Sequence, residues 1–321
     1  MADTGHAEAE LHLRARTRDI GADDVVVLEL EEPTGAPLPR WEPGAHIDLC
    51  LPNGLTRQYS LCGDPTDRSS YRVGILRDPE SRGGSVYVFD NLHPETEVIA
   101  RGPRNHFPLQ PSPRYVFIAG GIGVTPILSM ITAADAAGAD WELHYGGRNR
   151  RSMCFVDELT AIAGNRLTLY PQDEVGLIDL DSLLRTPRTD TLVYGCGPGP
   201  LLQAIEDHTT AWPTGTVHME RFEPKEFDDD AGADSFEIEL AESGKVLVVP
   251  PDKSVLEVLE DADVEVYSSC QDGTCGTCET PVVAGEVAHR DSIMTADEQA
   301  ANDRMYVCVS RALCGRLVLG I

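Results

Sequence analysis

No apolar stretch in this chain approaches the ~20 residues a helix needs to cross a bilayer, so no membrane-spanning role is expected. Positive charge is also scarce. The chain has 26 Lys and Arg against 53 Asp and Glu, a formal net charge of −27. That balance argues against nucleic acid and anionic membrane surfaces as partners. The first residues, Met1-Ala-Asp-Thr-Gly-His-Ala-Glu8, lack the basic-then-apolar order of a secretory leader. No internal repeat is evident. His144, His208 and the other histidines have no mutual spacing that suggests a metal, and they read as structural or surface residues.

The cysteines, by contrast, are informative. There are nine, four of them in one constellation, which fits a reducing interior and a cytoplasmic location. Cys270-Gln-Asp-Gly-Thr-Cys275-Gly-Thr-Cys278 places three thiols at C-x4-C-x2-C spacing, and Cys308 follows after 29 intervening residues. This is the spacing that holds a plant-type [2Fe–2S] cluster. Gly273 and Gly276 would let backbone N–H groups approach the sulfurs, and such donors tune a negative cluster. A structural zinc usually shows two separated pairs, whereas only Cys275 and Cys278 form a C-x-x-C pair here. A redox disulfide would leave Cys270 and Cys308 unexplained. Cys314 reads as a buried small hydrophobe.

Around this loop, residues from about 234 to 321 resemble a plant-type ferredoxin domain, which implies an α+β (β-grasp) fold. Phe236–Leu240 and Val246–Pro250 read as strands. Ser254–Glu260 reads as a helix with Ser254 as N-cap and Glu257 three positions on, and Tyr306–Ser310 closes the set. This part carries 17 acidic and 6 basic residues, counted over 231–321. A solvated surface accounts for most of that charge; steering toward a basic patch on an electron acceptor is compatible with it. The acidic, Gly- and Pro-bearing stretch 225–234 reads as a linker.

Upstream, four alternating segments read as strands separated by turn clusters: Leu11–Arg16, Val25–Leu30, His46–Leu51 and Tyr71–Leu76. They suggest a small antiparallel barrel over 1–110. It contains Arg57-Gln58-Tyr59-Ser60. Arginine offers a fork for phosphate. Tyrosine offers a flat face for an isoalloxazine ring, and Ser60 a hydrogen bond near its reactive nitrogen. A plain barrel strand with a surface arginine is the alternative. Arg82-Gly83-Gly84-Ser85 then opens a predicted helix with Ser85 as its cap, an anion site at a helix N-terminus. Together with Arg57 it suits one flavin phosphate. No segment for packing an adenine is visible, which points to FMN over FAD.

Between barrel and linker, strands and helices alternate over 111–224, implying a parallel sheet with ligands at its carboxyl ends. The buried run Tyr115–Ala119 leads into Gly120-Gly121-Ile-Gly123-Val-Thr125-Pro126 and a helical stretch. Strand, glycine turn and helix form a place for a dinucleotide pyrophosphate. The order is not the G-x-G-x-x-G fingerprint. A helix is also expected over Met153–Ile162. Arg148, Arg150 and Arg151 could hold the 2′-phosphate of NADPH or be surface charges, which leaves NADH and NADPH both open.

The R-x-Y-S and G-G-x-G-x-T-P motifs resemble those of the ferredoxin reductase superfamily. The order of flavin barrel, nucleotide domain and C-terminal ferredoxin resembles the phthalate dioxygenase reductase family over nearly the whole chain. The resemblance implies that Cys196, in Cys196-Gly197-Pro198, lies beside the nicotinamide, and that Phe222 stacks on the flavin. It implies an oxidoreductase that takes a hydride from NADH or NADPH onto FMN and passes electrons singly through the cluster. Its acceptor would be a separate terminal oxygenase component, either a Rieske non-haem iron oxygenase or a haem-thiolate monooxygenase. No such domain is expected within the chain, because no pair of C-x-H motifs or haem ligand pattern occurs in it. The alternatives are a flavin reductase with a small-molecule acceptor and a non-enzymatic nucleotide-binding module with a structural zinc.

Overall fold

The computed structural model describes residues 10–225 and 234–321. These fall into two compact units, Met1–Glu220 and Arg221–Ile321. The leader reading and all but the two ends of the 225–234 linker lie outside the described residues.

The first unit begins with six strands: β1 (Glu10–Ala22), β2 (Val25–Glu31), β3 (His46–Cys50), β4 (Thr56–Ser60), β5 (Tyr71–Leu76) and β6 (Glu97–Arg104), with helix α1 (Gly84–Asn91) between the last two. They form one antiparallel sheet in the order β4-β3-β6-β1-β2-β5. Its two edge strands meet through a bridge between Leu61 and Val73, which brings the sheet round on itself. Alternation along the strands sends Leu13, Ala15, Leu28, Leu30, Val73 and Ile75 into the barrel core.

The chain then forms β7 (Arg114–Gly120), α2 (Val124–Ala136), β8 (Asp140–Gly147), α3 (Val156–Ala163), β9 (Leu167–Pro171), α4 (Gln172–Val175), α5 (Leu180–Leu184), β10 (Thr191–Cys196), α6 (Gly199–His208) and β11 (Val217–Glu220). The sheet is parallel, in the order β11-β10-β7-β8-β9. It is buried on both faces, which is why β7 reads as an unbroken apolar run. Phe117, Trp141 and Tyr145 pack toward α2 and α3. Val116, Ile118 and Val193 pack toward α5 and α6. The helix expected from Met153 starts only at Val156, because Phe155 takes a left-handed conformation, φ 60°, as its N-cap.

The second unit contains β12 (Phe236–Leu240), β13 (Val246–Val249), α7 (Val255–Asp261), β14 (Glu279–Ala284), β15 (Val287–Ala288), α8 (Ala296–Ala301), β16 (Arg304–Tyr306), β17 (Arg311–Ala312) and β18 (Arg316–Leu319). Its main sheet runs β13-β12-β18-β14-β16 with β12 and β18 parallel; β15 pairs with β17. The expected capping box is present: Ser254 Oγ accepts from Glu257 N at 3.1 Å, and Ser254 N donates to Glu257 Oε2 at 2.7 Å. Such a cap contributes about 1 kcal/mol.

Candidate functional site

Strand β4 carries the R-Q-Y-S motif, with Ser60 opposite His46 and Gln58 opposite Asp48 on β3. Alternation puts Arg57 and Tyr59 on one face and Gln58 and Ser60 on the other. Arg57 lies against the start of α1, so closely that a Cβ on Gly84 would sit 2.5 Å from its Cγ and 2.6 Å from its Nε. A glycine at 84 is therefore what lets the guanidinium reach a helix N-terminus. The cap is Gly83, at φ 86°. Ser85 does not cap the helix as expected. It sits inside the first turn, buried, where its hydroxyl accepts from Asp78 N at 3.1 Å and contacts Ser81 Oγ, so it tethers the preceding loop. Arg82 is exposed in that loop.

The Tyr59 hydroxyl is buried without a hydrogen-bond partner among the described residues, and burial pushes it up from its usual value. A buried phenol needs an acceptor or donor, so this atom fits a bound polar chain. A guanidinium at a helix N-terminus, a glycine cradle and an orphaned phenol are together the donor set that a ribityl phosphate requires.

Two glycine turns meet at the carboxyl ends of β7 and β10. Gly121–Gly123 forms one turn of 3-10 helix, with Gly121 at φ 54°. A Cβ on Gly123 would lie 2.4 Å from the Cys196 carbonyl oxygen, and one on Gly197 3.0 Å from Gly120 Cα. Only glycines permit that approach. Thr125 Oγ1 donates to Ile122 O at 2.9 Å, and Pro126 sits in the first turn of α2. Pro198 is the N-cap of α6. The backbone N–H groups of both turns thus flank one crevice, as anion binding needs.

At the same edge, β11 brings in a residue that sequence reasoning missed. Cys196 and Glu220 are in register on β10 and β11, and Ser60 Oγ lies 3.5 Å from Glu220 Oε2. Glu220 is only half-buried as a residue, yet burial of its carboxyl pushes it up to about 8, against the hydrogen bond from Ser60. Burial, then the Glu220 charge, hold the Cys196 thiol well above its ordinary value, so it stays protonated. Ser60, Cys196 and Glu220, from three strands, therefore form one cluster that can hold or move a proton. An acidic residue ending the strand Val217–Glu220, at the carboxyl ends where such a sheet binds its ligands, was the signal that could have found Glu220. Phe222 follows two residues further along the chain and is 42% exposed.

The three arginines after β8 do not act as a set. Arg150 Nε is 3.0 Å from Glu174, and Arg151 pairs with Asp23 at 3.1 Å. Arg148 is exposed, and its carbonyl accepts from Asp173 N at 3.3 Å. His144 is structural. It contacts Tyr170 Oη at 3.1 Å and Glu142 at 3.2 Å, and with Arg188 it holds Glu142 down to about 2.

In the second unit the four predicted thiols converge. Among the described residues no group of three or more Cys, His, Asp or Glu forms a single-ion site. The thiols instead contact one another pairwise: Cys270 with Cys275 and Cys308, and Cys278 with Cys308. These contacts draw Cys270 well below the usual thiol value and push Cys275 and Cys308 up. The loop's N–H groups point at sulfur: Asp272 N and Thr274 N lie 3.3 and 3.5 Å from Cys270 Sγ, and Cys270 N lies 3.4 Å from Cys275 Sγ. Gly273 and Gly276 adopt φ 70° and 75° to aim them. Four converging sulfurs, with amide donors aimed at those of Cys270 and Cys275, fit a negative iron–sulfur cluster. None of the nine cysteines forms a disulfide. Cys314 is half-buried rather than buried, its thiol turned to Glu286 and Arg316 backbone.

Comparison with known proteins agrees with this geometry. Residues 238–313 match the family model of the 2Fe-2S iron-sulfur cluster binding domain, and residues 117–207 that of the oxidoreductase NAD-binding domain. The first match sets aside the zinc alternative. The chain is 39% identical to the phenoxybenzoate dioxygenase subunit beta of Ectopseudomonas oleovorans, covering 98% of both chains. It resembles the solved phthalate dioxygenase reductase at a TM-score of 0.71 and 37% identity, covering 97% of this chain and 98% of that one. It also resembles an intact type IV self-sufficient cytochrome P450 monooxygenase at a TM-score of 0.91 and 42% identity, covering 97% of this chain but only 41% of that one. The protein is an NAD(P)H-dependent oxidoreductase with FMN and a [2Fe–2S] cluster, the reductase component of an oxygenase system. At 37% identity to the phthalate dioxygenase reductase of Burkholderia cepacia, across 99% of each chain, it belongs to the phthalate dioxygenase reductase family.

Proposed function

We propose that Ser60, Cys196 and Glu220 form the place where the nicotinamide and the flavin meet, and that Cys270, Cys275, Cys278 and Cys308 carry the electrons onward. The convergence of the three residues at one sheet edge carries this reading. When bound, the flavin accepts a hydride and releases electrons one at a time. The chain's own part is to bind, orient and protonate. Arg57, Gly83, Gly84 and the start of α1 hold the phosphate, Tyr59 binds the ribityl chain, and Gln58 supports the strand. Gly121, Gly123, Thr125, Pro126, Gly197 and Pro198 seat the dinucleotide. Ser85 tethers the phosphate loop, Arg82 is on sequence grounds a further cofactor-binding residue in it, and Phe222 is, on the same grounds, the candidate stacking residue. The domains are 1–110 for flavin, 111–224 for nucleotide and 235–321 for the cluster, joined by the 225–234 linker, in a cytoplasmic protein. The acceptor is a Rieske non-haem iron oxygenase or a haem-thiolate monooxygenase. A visible spectrum, flavin chromatography and low-temperature EPR after reduction test the whole; protein isolated with neither flavin nor iron, even after reconstitution, would end it.

Arg57→Ala is expected to weaken FMN binding at least about tenfold, the worth of one charge-assisted hydrogen bond. Flavin titration of the apoprotein measures it, and an unchanged affinity removes Arg57 from the phosphate site.

We further propose NADH as the donor. Two of the three arginines beyond β8 are held by carboxylates, and Asp173 and Glu174 lie at the adjoining end of β9. A 2′-phosphate would meet those acids, whereas a ribose hydroxyl can donate to one. NADH is expected to exceed NADPH about tenfold or more in kcat/KM, the effect of one unfavourable contact of about 1.4 kcal/mol. Equal use of the two would overturn this assignment.

A further inference from the structure

We infer that strand β5 sets how closely the barrel approaches the nucleotide-binding lobe, and that Gly74 and the Arg72–Glu158 pair are positioning residues for hydride transfer. This rests on the reading that flavin and nicotinamide meet beside Ser60 and Cys196. Alternation gives β5 two faces. Val73 and Ile75 enter the barrel core, while Leu76 packs against the core shared with α2 and β8. Arg72 and Gly74 lie on Leu76's face, toward the lobe.

Arg72 grips α3 with both arms, Nη1 to Glu158 Oε1 at 3.0 Å and Nη2 to Oε2 at 2.8 Å. Its guanidinium also sits 4.7 Å from the centre of the Phe155 ring. Phe155 holds the left-handed conformation noted above, which a bulky residue keeps only where its surroundings over-determine it. Gly74 explains part of that. A Cβ there would lie 2.9 Å from Thr125 Cγ2 and 3.3 Å from two Phe155 ring atoms. Gly74 is not at a positive φ, so its own backbone does not demand glycine. Glycine inside a strand weakens it and marks a close approach, and here the approaching group is the threonine of the nucleotide turn.

On its other side β5 is fastened to the flavin-site segment. Leu61, next after Ser60, bridges Val73, and Cys62 N donates to Arg72 O at 2.9 Å. The same three residues of β5 therefore join Ser60 to Thr125, the two places where flavin and dinucleotide are proposed to bind. Reacting atoms must lie about 3–3.5 Å apart, and a misplacement of about 1 Å can cost about a hundredfold in rate. A few tenths of an ångström at Gly74 would be felt at the reacting atoms.

The test is Gly74→Ala in the full, cofactor-loaded chain. FMN content and NAD⁺ affinity are expected to stay within about twofold of wild type, because no binding group is removed. Flavin reduction at saturating NADH is expected to slow about tenfold, a fraction of the loss for a whole-ångström shift. The long-wavelength charge-transfer absorbance of nicotinamide stacked on flavin should weaken with it. Thr125→Ser removes the methyl that the new side chain would strike and keeps the hydroxyl. Gly74→Ala/Thr125→Ser should therefore regain the band and most of the rate relative to Thr125→Ser alone. If Gly74→Ala does not fold, Glu158→Gln decides on the same two readouts, slower reduction and a weaker band being expected. Wild-type band and rate in Gly74→Ala, or no recovery in the double variant, would overturn the inference. Ser60→Ala separates this from the underlying reading: if it slows flavin reduction while Gly74→Ala does not, only the positioning role fails; if neither does, the site itself is misassigned.

Discussion

Cys275→Ser is expected to abolish the cluster's absorbance and EPR signal and to reduce one-electron output to cytochrome c to background. Reduction of FMN by NADH should persist. Cys275 is 1% exposed, and its sulfur is contacted by Cys270 N and Thr277 Oγ1. A serine oxygen there would be a harder, shorter ligand in a cradle built for sulfur. Losing a group that merely hydrogen-bonds a metal's ligand already costs about 10–100-fold, and loss of a ligand must cost more. Cys314→Ser is the matched control. That thiol is engaged with Glu286 and Arg316 backbone, not with the four ligands, so the cluster should be kept. Fast cytochrome c reduction by Cys275→Ser would mean that electrons leave the chain by another route.

The sequence spelled out those four thiols because cluster ligation is local: three lie within nine residues, on a loop whose glycines betray its curvature. The glycine turn after β7 and the capping box at Ser254 were legible for the same reason, each being set by neighbours along the chain. The parallel sheet followed from a buried apolar strand alternating with helices. What could not be read was anything decided by a contact between distant segments. Ser85 looked like a cap, but Gly83 takes that place, because Asp78 and Ser81 claim the serine's hydroxyl. Arg150 and Arg151 read as available along the chain, whereas the fold sets Glu174 and Asp23 beside them. Phe155 delays α3 because it wedges between β5 and the lobe, which no local propensity encodes. Glu220 is not legible along the chain because its importance arises from register. Only pairing of β11 with β10 sets it level with Cys196, and only the barrel brings Ser60 to it.

Glu220→Gln is accordingly expected to slow flavin reduction about a hundredfold, the lower range for loss of a positioned proton-transfer group, with FMN and NAD⁺ binding little changed. The carboxyl is neutral below about pH 8 because burial outweighs the Ser60 hydrogen bond. It can then carry a proton beside Ser60, and above that pH it becomes a buried negative charge next to Cys196. Wild-type flavin reduction should therefore fall as pH rises through about 8, and the variant's profile should be flat there. Linkage provides a second, independent readout. The folded chain keeps the Glu220 proton between its ordinary value of 4.5 and about 8, where an unfolded chain has released it. The native state binds more protons in that window, so this group's contribution to stability declines as pH rises across it and levels off above. The variant's amide cannot ionise. Its denaturation midpoint should match wild type near pH 4 and exceed it increasingly toward pH 8. A variant that keeps the inflection in rate near pH 8, or shows no such divergence in stability, would place the titrating group elsewhere.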